Sequence, residues 1–207
     1  MTNNKKEPDK FKIKGKPKYI KIGDEYNFFE LFKKIQLNFK NCFLFESLGE
    51  ESNISRYHII GFDPKYLIFS ESRNELKIED IDKGEINTYE CENPYYKLRD
   101  IIPQNVISKK YAGGLVGFVS YDGFNYFENN LNIKKNPDFE SFKFGLYLDG
   151  LIYDQMTGEI FYYYYEDNKI EKIKSIINQN NHNSPRVSCN FLKNSMTRNE
   201  HKNTVLK

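Results

Sequence analysis

Apolar positions recur along this chain mostly in short alternating runs, broken by a few stretches at helical spacing. Lys18–Ile22 alternates and reads as a first strand with one solvated face. Asn27 with Glu30 forms an N-cap signature, and Phe28, Phe32, Ile35 and Phe39 follow at helical spacing, so the pattern predicts an amphipathic helix over 27–39. Cys42–Glu46 is too short for a helix and rich in Phe, which predicts a strand, and the polar segment Leu48–Ser55 reads as a loop. Arg56–Phe62 places Tyr57 and Ile59 on one face and His58, Ile60 and Phe62 on the other, so this strand is expected to be covered on both sides until Asp63-Pro64 ends it.

Further along, Leu67–Ser70, Glu75–Ile81 and Glu85–Glu90 read as short strands, with a turn at Asp82-Lys83-Gly84. Pro94 opens a helix that Pro103 closes. Gly113–Tyr121 is apolar and punctuated by glycine, and Asp122 is placed to cap a short helix through Glu128. Phe142–Asp154 and Glu159–Glu166 read as the two arms of a hairpin around Gln155–Gly158. Asn168 with Glu171 caps a helix with Ile170, Ile173, Ile176 and Ile177 on one face. Thr197 and Glu200 form a capping box whose apolar face has only begun, with Val205 and Leu206, when the chain stops at Lys207. The expected organisation is a basic arm at 1–17, an α+β domain at 18–180, an Asn-rich linker at 181–194, and the cut start of a second domain at 195–207. The α+β domain is expected as a twisted, largely antiparallel sheet or sandwich with flanking helices.

Composition narrows the classes. Aromatics make up 16% of the 207 residues, and so many large apolar groups favour an ordered core over disorder. No run of about 18 apolar residues occurs, and the first residues are too polar for a signal peptide. Cys42, Cys91 and Cys189 are odd in number and far apart, fitting neither a disulfide framework nor a metal knuckle. The expectation is a cytoplasmic protein without membrane partners. Residues 1–22 carry eight Lys against Glu7 and Asp9, a local net of +6 in a chain of net +2. Because Lys18, Ile20 and Ile22 belong to an alternating strand, a solvated face is the reading preferred over nucleic-acid binding.

The candidate chemistry is sparse. His58, His182 and His201 have no carboxylate or Cys at ligand spacing, and His58 reads as a strand histidine with a local hydrogen bond. Ser120 lacks the G-x-S-x-G frame of a nucleophile elbow, and Gly113–Gly117 lacks both the P-loop and the dinucleotide pattern. Glu46-Ser47 at one strand end, facing Ser55-Arg56-Tyr57 at the start of the next, is more informative. Glu46 could take an ammonium and Arg56 a carboxylate, which together would hold a zwitterion; the alternative is an internal Glu46–Arg56 pair with Ser47 bonding the turn.

Several blocks carry a resemblance. L-F-E-S (44–47), S-R-Y-H-I-I-G-F-D-P (55–64), G-G-L-V-G-F-V-S-Y-D (113–122), Y-F-E (126–128) and F-G-L-Y-L-D-G-L-I-Y-D (144–154) resemble the N-terminal domain of anthranilate synthase component I. S-M-T-R-N-E (195–200) is similar to the segment opening that family's chorismate-binding domain. Aminodeoxychorismate synthase component I shares much of the pattern and stays as an alternative, as does a non-catalytic amino-acid-binding or scaffold module. The resemblance implies a chain that serves the conversion of chorismate to anthranilate and pyruvate, with ammonia from a glutamine amidotransferase partner (component II). It implies no cofactor in this chain and Mg²⁺ in the complete enzyme, whose catalytic residues lie in the chorismate-binding domain. It further implies that Glu46, Ser47 and Arg56 bind tryptophan as feedback inhibitor. A sheet meant to pack on a second domain is expected to expose an apolar patch, lined by Gly113–Tyr121 and Phe142–Asp154.

Overall fold

A computed structural model describes residues 7–24, 26–47, 55–103, 110–128, 130, 132–179 and 195–206. Ten strands form two five-stranded antiparallel sheets, which makes the chain α+β. The first sheet runs β1 (Lys18–Gly23), β10 (Glu159–Tyr164), β9 (Asp149–Asp154), β3 (Tyr57–Phe62), β2 (Cys42–Phe45). The second runs β6 (Glu85–Glu90), β5 (Glu75–Asp80), β4 (Tyr66–Ser72), β8 (Phe142–Tyr147), β7 (Gly114–Val119).

Helix α1 (Phe28–Asn38) starts where its sequence signature places it, with the Asn27 side chain accepting from the Glu30 amide at 3.1 Å. It buries Phe28, Leu31 and Ile35 against the first sheet beside α3 (Ile170–Ile177), which adds Ile173, Ile176 and Ile177. Ile60, Phe62, Leu151, Ile160, Tyr162 and Tyr164 supply the sheet side of that core. A second core gathers Ile68, Leu76 and Phe142 under α2 (Pro94–Ile101), which contributes Leu98 and Ile101. Helix α4 (Arg198–Val205) has its capping box and no buried residue.

Three expectations are revised. Phe142–Asp154 is not one strand: β8 lies in the second sheet and β9 in the first, with buried Leu148 between them. A run apolar on both faces satisfies two cores, which is why continuous hydrophobicity hid the break. For the same reason Phe142, Leu146, Leu151 and Ile152 are buried and line no surface patch. The other expected stretch, Gly113–Tyr121, does expose Phe118, Val119 and Tyr121, and Phe124 and Phe127 are exposed after it. Asp122 does not cap a helix either. It is buried inside a 3₁₀ turn, Tyr121–Tyr126, and accepts from the hydroxyls of Ser120 (2.5 Å) and Ser141 (2.9 Å).

The described part of the N-terminal segment lies along the second sheet. Phe11 donates its amide to Ile101 O at 2.9 Å, and its ring meets Tyr66 with 4.8 Å between centroids. Two glycines serve close approach. Gly113, at φ +76°, has Tyr147 O 2.2 Å from where a Cβ would sit, and at Gly117 the Lys143 carbonyl oxygen is 1.9 Å from that point. The linker 181–194, with His182 and Cys189, and most of the loop Leu48–Ser55 lie outside the described residues.

Candidate functional site

The sequence candidates meet at the end of the first sheet where β2 stops, β3 starts and the β9–β10 turn closes. β2 pairs with β3 up to Phe45↔Ile59, and one residue further stand Glu46 and His58. Ser47 follows, its hydroxyl 3.4 Å from Tyr57 O as donor. On the other side of β3, Tyr57 pairs with Asp154 and His58 with Tyr153. The chain then turns, and the Gln155 amide N–H donates to Arg56 O at 2.9 Å.

Alternation along β3 sorts these groups onto two faces. His58 belongs to the α1 face, its ring edge-on to Phe28 (6.0 Å) and Tyr153 (5.5 Å). Its Nδ1 stands 3.8 Å from Glu46 Oε1, and its Nε2 contacts the side-chain nitrogen of Gln155. The same Gln155 nitrogen donates to Ser47 O at 3.3 Å. Tyr57 and its cross-strand partner Asp154 belong to the opposite face. There Arg56 lies over the Tyr57 ring at 5.0 Å and grips Asp154 with Nε at 2.9 and 3.1 Å and Nη2 at 2.7 Å. Hydrogen bonding from the guanidinium, opposed by burial, holds the Asp154 carboxyl below its usual range, and the same bonds raise Arg56.

Glu46 and Ser47 are chain neighbours with different partners, His58 and Tyr57 O, and Arg56 joins neither. Nor does it form the internal pair with Glu46 that spacing left open, because its partner is Asp154. Three residues of this cluster were not singled out for the site from sequence: Asp154, Gln155 and, as a neighbour of Glu46, His58. The first two come from a turn about a hundred residues later, at a separation of 98 for Arg56–Asp154. The T-G turn signal marks that hairpin, but nothing local says that β9 lies beside β3.

The cavity of about 450 Å³ between residues 9–13 and the second sheet is lined by Phe11, Tyr66, Tyr89 and the paired Asp80 and Lys83. Cys42 and Cys91 are free, and burial raises both thiols, the opposite of what a reactive thiolate needs. Among the described residues no group of three or more His, Cys, Asp or Glu side chains stands close enough to hold a metal ion. Among them, too, no helix is long and apolar enough to cross a membrane.

The curated anthranilate synthase component 1 of Leptospira biflexa is 39% identical to this chain over 201 residues, covering 95% of the chain. The chain belongs to the anthranilate synthase component I family. The component 1 of Methanothermobacter thermautotrophicus is 34% identical over 152 residues, 73% of the chain. A crystal structure of anthranilate synthase component I from Streptococcus pneumoniae matches 63% of the chain and 30% of its own at 22% identity, with a TM-score of 0.43. No protein-family model matches. The chain spans 42% of the Leptospira relative and 32% of the Methanothermobacter one.

Proposed function

We propose that this chain is the regulatory and assembly portion of an anthranilate synthase component I, acting with a chorismate-binding domain and a glutamine amidotransferase component II. In this reading it does not itself carry the conversion of chorismate to anthranilate and pyruvate. It binds tryptophan and passes that signal to the domain that does. The observation that supports the reading is that Glu46, beside His58, and Ser47, whose hydroxyl donates to Tyr57 O, follow one another at the end of β2 in a chain of this family. A carboxylate there suits an ammonium, and a compact hydroxyl leaves room for a ligand beside it. Arg56 enters by fixing the β9–β10 turn against the same strand end through Asp154.

Inhibition then works as a shift of population. Tryptophan binds one arrangement of the two domains better than the other, and the disfavoured one is the arrangement competent for chorismate. Couplings of this kind are typically about 1–3 kcal/mol, or roughly 5–150-fold in affinity. The test is made on the chain fused to a chorismate-binding domain, with ammonia as nitrogen donor and anthranilate fluorescence as readout. Tryptophan is expected to inhibit, and Ser47→Phe is expected to raise the tryptophan needed for half-inhibition more than tenfold. Turnover indifferent to tryptophan in the unaltered fusion, or unchanged inhibition in Ser47→Phe, refutes the reading.

A further inference from the structure

Resting on the amino-acid-binding reading above, we infer that the carboxylate of the bound amino acid is taken by His58 Nδ1–H, held in place by Gln155, and not by Arg56. Arg56 is drawn away from the task. Its guanidinium lies over the Tyr57 ring, and three of its hydrogen bonds go to the nearly solvent-free Asp154 carboxylate. His58 is on the right face and beside the right neighbour, with Nδ1 at 3.8 Å from the Glu46 carboxylate.

The hydrogen-bond pattern assigns the tautomer. The Gln155 side-chain nitrogen donates to Ser47 O at 3.3 Å, which orients the amide with its NH₂ inward. That same nitrogen meets His58 Nε2, so Nε2 is the acceptor and the hydrogen of the neutral ring resides on Nδ1. Nδ1 is buried and has no hydrogen-bond partner among the described residues. A shielded donor left unsatisfied costs free energy, which a ligand acceptor recovers on binding. The separation of 3.8 Å from Glu46 is too long for a hydrogen bond and suits two groups that serve the two poles of one amino-acid head.

Access follows from Glu46. Its side chain is 34% exposed, and no hydrogen bond holds its carboxylate among the described residues. Swinging that carboxylate outward to meet an ammonium uncovers Nδ1 for the adjoining carboxylate. Gln155 is then a positioning residue, since it fixes the ring and tautomer from the far nitrogen. Phe28 and Tyr153 hold the ring plane edge-on.

The experiment compares tryptophan with tryptamine, which lacks only the carboxylate, by titration calorimetry on the chain fused to a chorismate-binding domain. In the unaltered protein tryptophan is expected to bind roughly 10–100-fold more tightly, the worth of a charged hydrogen bond. In His58→Leu that preference is expected to fall below about threefold. His58→Asn, whose amide nitrogen comes close to the position of Nδ1, is expected to keep most of it. Without any substitution, the His58 Nδ1 proton resonance is expected to move downfield with tryptophan and not with tryptamine. An unchanged preference in His58→Leu, or a His58 resonance blind to the carboxylate, overturns the inference alone. Absence of tryptophan binding by the unaltered protein overturns the amino-acid-binding reading with it.

Discussion

Lys169 is the substitution whose cost the structure defines most sharply. It stands immediately before α3, and its Nζ donates to Asp149 Oδ2 at 3.1 Å and Asp63 Oδ2 at 2.9 Å. Asp149 opens β9 just where the chain crosses between sheets, and its other oxygen accepts from the Tyr162 hydroxyl at 2.5 Å. That hydroxyl in turn accepts from the Lys169 amide at 3.1 Å, so strand β10 and the start of α3 close around one carboxylate. Burial pushes Asp149 up, and Tyr162 and Lys169 pull it back only in part. Burial also pulls Lys169 down, but the two aspartates outweigh it and leave the ammonium more basic than usual.

Lys169→Met keeps most of the aliphatic stem and removes the charge. Breaking a buried pair by deleting one partner typically costs about 3–5 kcal/mol. Here the Lys169 side chain is 29% exposed and Asp63 36% exposed, so water screens part of the loss and about 2–3 kcal/mol is expected. The penalty depends on pH in a definite direction. An acid whose folded pKa lies above its unfolded value loses stability as pH rises through the folded value, because the unfolded chain ionises it more easily. Without Lys169 the folded value of Asp149 climbs further, so the penalty is small near pH 4 and grows toward neutrality, by at most about 1.4 kcal/mol per pH unit. Urea unfolding followed by far-UV circular dichroism at several pH values measures it. Lys169→Met/Asp149→Asn is expected to regain at least half of the loss at neutral pH, since Asn can still accept from Tyr162. A penalty equal at pH 4 and pH 7, or a double variant weaker than Lys169→Met alone, refutes the argument.

Other outcomes follow from single contacts. Gly117→Ala puts a methyl 1.9 Å from Lys143 O and 2.7 Å from Phe144 Cα, both backbone. β7 then shifts on β8, with a loss of about 1–3 kcal/mol that the melting temperature reports. Ile35, fully buried between α1 and the first sheet, is expected to cost about 2–5 kcal/mol as Ile35→Ala, read as a lower urea midpoint at unchanged slope. Asp154, held below its usual range by Arg56, contributes stability that is present above about pH 4 and lost as pH falls through the folded value. Asp154→Asn is expected to flatten that acid limb of the stability curve, and an unchanged limb counts against the pairing.

How far the sequence could be read depends on how local each determinant is. α1 was visible because its cap, Asn27 to Glu30, and its buried stripe lie within twelve residues. The β9–β10 hairpin was visible because its turn carries its own Gly158, at φ +71°. The break at Leu148 was not, since a segment buried in two different sheets shows the same unbroken apolar run as one buried strand. The candidate site divides along the same line. Glu46 and Ser47 announced themselves as polar groups ending a Phe-rich strand, while Asp154 and Gln155 owe their place to β9 lying beside β3, a pairing between segments 97 residues apart at His58–Gln155. Arg56 shows the consequence: spacing offered Glu46 as its nearest opposite charge, yet Arg56 precedes β3, turns to the Tyr57 ring, and finds its partner in Asp154 at a turn later in the chain. Changes that disturb the arrangement of Glu46 and Ser47 should therefore be sought in 154–156 as readily as in 46–47, because one end of one sheet assembles both.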